Sequence, residues 1–135
     1  MIEQGLVMLV QAGIGDLATG GFPVKLPENY INESNRRAWV FHMLTAYPTY
    51  TINSQDPFTS ATVQIDCHGY TMLDAMTLAR AIDGVLRGGF VGRLPDPDQT
   101  FVHGIFREPP FIDGFSDASR TYVRMLEYLV NYNQI

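Results

Sequence analysis

The sequence predicts an α+β fold, an antiparallel or mixed sheet of about four main strands with two helices packed on one side. Two observations carry that prediction. Ser60 to His68 alternates without interruption, Ala61, Val63, Ile65 and Cys67 on one face and Thr62, Gln64, Asp66 and His68 on the other, as a half-buried strand does. Two residues later Thr71 to Arg87 repeats its apolar residues at helical spacing and closes on Gly88-Gly89, as a helix with one face to bury does.

The remaining elements follow in order. Ile2, Leu6, Leu9, Val10, Ile14 and Leu17 recur at three- and four-residue steps and predict a first helix, ended by Thr19-Gly20-Gly21. Gly5, Gly13 and Gly15 each cost that helix about 1 kcal/mol relative to Ala, so it depends on tertiary packing. Phe22 to Arg36 has no period and is broken by Pro23 and Pro27. Ala38 to Leu44 is apolar on both faces except at His42, the pattern of a strand covered on both sides. Ala46 to Thr59, with Pro48, Asn53, Asp56 and Pro57, reads as a long loop or an irregular hairpin arm.

In the second helix Asp74, Thr77, Arg80, Asp83 and Arg87 form a narrow polar stripe, read as solvated, while Ala75, Ala79 and Ala81 allow close approach to a sheet. Thr71 and Asp74 have capping-box spacing, and Asp83 can pair with Arg87 one turn on. Arg93 to Asp98 is a loop fixed by two prolines. Thr100 to Glu108 reads as a strand that Pro109-Pro110 terminates, because proline cannot donate to a ladder. Phe111 to Ser119 reads as another loop. Arg120 to Tyr132 fits strand and helix periods, and its β-branched and aromatic residues favour strand.

A chain of 135 residues suits a single domain spanning 1–135, able to bury about two thirds of its unfolded surface. Its net charge of −5 argues against dedicated nucleic-acid recognition, for which a basic stripe is needed. Cys67 stands alone, so no internal disulfide is available. The opening residues lack the positive region of a secretory signal, and no apolar run approaches the length of a membrane span; an intracellular origin and no membrane partner are expected. Eight of nine basic residues are arginine, beside generous Tyr, Phe and Met. Protein interfaces favour that bias, and lineage bias can also produce it.

Asp66-Cys67-His68 is the best candidate for chemistry, and strand geometry weakens it. Neighbouring side chains on a strand point to opposite faces, so three in a row cannot converge on one ion, and Cys67 shares the apolar face with Val63 and Ile65. His42 and His103 lie within apolar strand patterns and read as core or sheet-face residues. Gly88 to Gly92 follows a helix, whereas phosphate cradles precede one. No catalytic, metal or cofactor site is expected.

The order and spacing of the N-terminal helix, the Ala38–Thr45 strand, the strand ATVQIDCHG, the helix DAMTLARAIDGVL and the closing RTYVRMLEYLV resemble a family of bacteriophage tail completion or tail terminator proteins. The resemblance covers most of the chain. It implies an α+β subunit of a hexameric ring, assembled in the bacterial cytoplasm and located in the virion at the head–tail interface. That ring caps the finished tail tube, contacts the tail tube protein and docks to the head completion proteins, with DNA passing through its lumen. The long segments Phe22–Arg36 and Ala46–Thr59 depart from the family pattern, which leaves open the surfaces that meet tube and head. A head-completion or neck ring subunit is the nearest alternative. A monomeric adaptor and a small enzyme using Cys67 or His68 are alternatives of other classes. Loops on a rigid scaffold are where recognition residues concentrate. They supply the candidate subunit or tube contacts Tyr47, Tyr50, Phe58, Arg93, Asp96, Asp98, Phe111, Asp113 and Phe115.

Overall fold

The computed structural model describes residues 2–23, 26, 30–49, 58–86, 90–95, 100–116 and 120–133. Helix α1 (Ile2–Ile14) leads through a 3₁₀ turn (Gly15–Leu17) into strand β1 (Thr19–Pro23). Strands β2 (Arg37–Thr49) and β3 (Phe58–Gly69) follow, then helix α2 (Met72–Leu86), the short β4 (Gly92–Arg93), and the long strands β5 (Phe101–Ser116) and β6 (Thr121–Asn133). The strands form one mixed sheet in the order β1-β2-β3-β6-β5-β4, where β1 runs parallel to β2 and every other pair is antiparallel. The fold is therefore α+β, with six strands among the described residues rather than about four.

The two anticipated amphipathic units form as their periods require. Ala61, Val63, Ile65 and Cys67 of β3 are almost fully buried and share one core with Leu78, Ala79, Ile82 and Leu86 of α2. Ile2, Leu6, Val10 and Ile14 of α1 join the same core, so both helices cover one face of the sheet. Gly13 permits their close approach, since a Cβ there would overlap the Val85 side chain. Trp39 is fully buried, and its indole N–H donates to Gln11 Oε1 at 3.3 Å. The Gln11 amide in turn donates to the carbonyls of Gly15 and Ala18, fastening the end of α1 to the sheet. On the opposite face Ala38 and Val40 pack under Leu26, Phe22, Tyr30 and Ile31, so β2 is covered on both sides as its pattern demands.

Three expectations need correction, and for one segment the structure takes one of two open readings. Thr19-Gly20-Gly21 does not simply end α1; it opens β1, whose parallel partner begins at Ala38 and so leaves no local signal. Of the two readings left open for Ala46 to Thr59, the hairpin arm is the one its described residues take: β2 continues to Thr49, opposite Phe58, and residues 50–57 lie outside the described residues. Pro109-Pro110 does not terminate a strand, and Phe111 to Ser116 is not a loop. The ladder shifts between Glu108 and Ile112, and β5 resumes against β6 as far as Ser116. A bulge on a strand flanked only briefly by β4 accommodates prolines that an interior ladder would reject. Finally, the polar stripe of α2 is not wholly wet. Asp74 and Asp83 are buried, 6% and 8% exposed, while Arg87 lies outside the described residues.

Both buried carboxylates are satisfied. Asp74 closes the capping box with Thr71, accepting from its amide at 3.2 Å and its hydroxyl at 2.9 Å, and pairs with Arg36 and Arg37. Asp83 accepts from the Tyr128 hydroxyl at 2.7 Å and the Arg107 guanidinium at 3.2 Å. Residues 120–132 are strand rather than helix, within β6 apart from Arg120 at its start. From Leu126 to Tyr132 the even-numbered residues enter the core and the odd-numbered ones face away.

Candidate functional site

The segment with most chemical character offers no reaction. Cys67 is fully buried, and burial together with the nearby Asp66 carboxylate drives its thiol far above its usual range, so the nucleophilic thiolate is not formed. His68 lies on the other face, where its Nδ1 is 2.8 Å from Thr121 Oγ1; burial pulls its pKa below the usual value. His42 Nε2 is 3.0 Å from Asp66 Oδ2, and Gln64 donates to the other oxygen of that carboxylate at 2.7 Å. This is a polar ladder on the sheet face. His103 is exposed on β5 with its ring edge-to-face against Phe101 at 5.0 Å. Among the described residues no three His, Cys, Asp or Glu side chains gather to hold a metal, and no helix is long and apolar enough to cross a membrane.

The surface with unusual character is the β5–β6 hairpin. Register places its side chains on two faces. Arg107, Asp113, Phe115, Tyr122 and Arg124 lie on the helix side, and Phe106, Glu108, Ile112, Met125 and Glu127 lie on the far side. The bulge at Pro109-Pro110 brings Phe111 to the helix side, where the Arg124 guanidinium sits 4.0 Å and the Arg107 guanidinium 5.4 Å from its ring centroid. Arg124 also donates to both oxygens of Asp113, at 2.7 and 2.9 Å, and that hydrogen bonding holds the Asp113 carboxyl below the usual carboxylate range. Arg107, Phe111 and Arg124, with Arg80 and Asp83 of α2, line a shallow cleft between helix and hairpin.

The hairpin is apolar on both faces where the helices no longer cover it. Phe106, Ile112 and Phe115 are all more than half exposed, at 56%, 57% and 54%. Phe115 meets Tyr122, itself exposed, edge-to-face at 5.2 Å. Exposed aromatics grouped in this way are typical of interaction surfaces.

The sequence-derived contact candidates are only partly brought together. Phe111, Asp113 and Phe115 share the hairpin, though as strand rather than loop residues. Arg93 lies in β4 at the same end of the strand order, paired with Phe101. Tyr47 and Phe58 stand near the far end of the β2–β3 arm, opposite Ser60 and Thr49. Tyr50, Asp96 and Asp98 lie outside the described residues. Phe106, Ile112, Tyr122, Arg107 and Arg124 were missed. Their signal was the alternation that resumes after Pro110, in Phe111, Asp113 and Phe115.

The match to the family of bacteriophage tail terminator proteins extends over residues 8–134, and the chain belongs to that family. It is a structural protein of the virion tail, and the family is not a class of enzymes. Among solved structures, a chain of the virion of a native gene transfer agent particle is similar in fold, with a TM-score of 0.58 over 98% of this chain and 94% of that one, at 9% identity. No curated protein matches the sequence.

Proposed function

We propose that the chain forms a closed hexameric ring that caps the completed tail tube and joins it to the head. Membership of the tail terminator family supports the place in the virion. The observation that carries the ring is the hairpin with exposed apolar residues on both faces, Phe106 and Ile112 on one and Phe111, Phe115 and Tyr122 on the other. Closed cyclic assembly requires two different patches per subunit meeting head to tail, and opposite faces of one sheet supply them. A self-complementary dimer would need only one.

The acidic balance of the chain suits a lumen through which DNA slides, since negative charge repels phosphate and avoids the salt-dependent grip of arginine and lysine. A ring with its arginines clustered on the lumen would overturn that part. The ring is tested by native mass spectrometry and light scattering of the chain alone and with the tail tube protein of the same phage. Hexamers in either condition are expected. A chain that stays monomeric and never binds the tube sinks the reading and favours a monomeric adaptor.

A further inference from the structure

Glu108 and Glu127 stand directly opposite each other across the β5–β6 ladder on the far face, and both are exposed. Like charges in that position destabilise a sheet. Neither carboxylate has an ion-pair partner among the described residues, whereas the arginines on the other face are mostly matched, Arg107 with Asp83 and Arg124 with Asp113. Arg80 is an exception. It is exposed on α2 beside the cleft and has no ion-pair partner among the described residues.

One end of the sheet thus presents an unpaired anionic pair on one side and an unpaired cation on the other, each bordered by exposed apolar residues. We infer that a second copy of this chain covers the far face of the hairpin, with its Arg80 side placed against Glu108 and Glu127 of the first. The inference rests on the ring reading and names the surfaces that meet in it. Charge complementarity decides the occupant. A DNA strand would be repelled by the two carboxylates, and a copy bound far face to far face would double the repulsion. A copy bound helix side to far face relieves the clash and covers Phe106 and Ile112. The opposed faces also give the head-to-tail contact that a closed ring needs.

Charge exchange within one chain tests the pairing. In a head-to-tail ring every interface contains one far face and one Arg80 side, so a single variant chain carries both halves of the swap. E127R and R80E should each lower the ring fraction about tenfold or more at fixed protein concentration. E127R/R80E should restore it. Circular dichroism and Trp39 fluorescence establish that each variant is folded. Single variants that assemble like the parent overturn the pairing and leave the ring standing. Single variants that fail to assemble and are not rescued by the double change overturn it as well, because the two surfaces then do not face each other. E127R rings that form but no longer hold the tail tube protein would assign the far face to the tube instead. A parent chain that remains monomeric, alone and with tube protein, overturns the ring and this pairing together.

Discussion

Tyr128 and His68 show how single polar groups are held inside this sheet. Tyr128 is fully buried, and its hydroxyl is one of the groups that hold Asp83 in place. Removing one partner of a buried hydrogen bond leaves the other desolvated at a cost of about 1–3 kcal/mol. Tyr128→Phe should therefore lose about that much in urea unfolding followed through Trp39 fluorescence, although the ring itself still fills its site. His68 makes stability depend on pH. Burial makes the folded form harder to protonate than the unfolded one, against the opposing pull of Asp66. Its contribution to stability is therefore complete above its ordinary value of 6.5 and is lost as the pH falls below it. The urea midpoint should drop between pH 7.5 and 5.5 by less in His68→Gln than in the parent. Equal drops would mean that His68 does not govern this range.

At the scale of elements, the turn from β3 into α2 tolerates little. A Cβ on Gly69 would run into the backbone nitrogen of Ala75 and oxygen of Thr71, neither of which can rotate away. Gly69→Ala should cost about 1–3 kcal/mol, measured as a lowered melting temperature, with no change in helix content below it. This unit was also the most legible in the sequence, because one face of β3 and one of α2 are buried against each other without exception. Legibility failed where partners are distant or where a proline carries two meanings. β1 depends on a parallel partner that begins fourteen residues or more beyond it, so Thr19-Gly20-Gly21 reads locally as a helix end. Pro109-Pro110 reads as a terminator, yet at a bulge it only interrupts the ladder. The same double meaning hides the candidate surface, since Phe111 and Phe115 read as loop residues and not as one face of a strand. Asp74 and Asp83 mislead for a related reason. Helical spacing places them on a polar stripe but does not reveal Arg36, Arg107 and Tyr128 arriving from elsewhere.

For the molecule as a whole, the core and the exposed apolar surface draw on different residues. The core gathers on the helix side around Trp39, Ile65, Leu78 and Tyr128, while the exposed apolar residues concentrate on a hairpin that the helices only half cover. Phe106→Ser and Ile112→Ser should each change monomer stability by no more than about 0.5 kcal/mol, because exposed positions contribute little to folding. Together they should shift native mass spectra from rings toward monomers. A double variant that unfolds readily would show that the hairpin serves the core rather than a neighbour.

The position of β6 has a consequence during synthesis. Of the six described strands it is the last to leave the ribosome, yet it lies between β3 and β5 and joins the two halves of the sheet. The nascent chain therefore carries β3 with one open edge until β6 emerges, with partners as far apart as Thr59 and Tyr132 still to meet. Open strand edges and pairings between distant segments slow folding and invite misassociation, so subunits at this stage are natural clients of chaperones. The hairpin faces that would bind a neighbour are completed by the same strand. No chain can present those faces to a neighbour before its own sheet has closed.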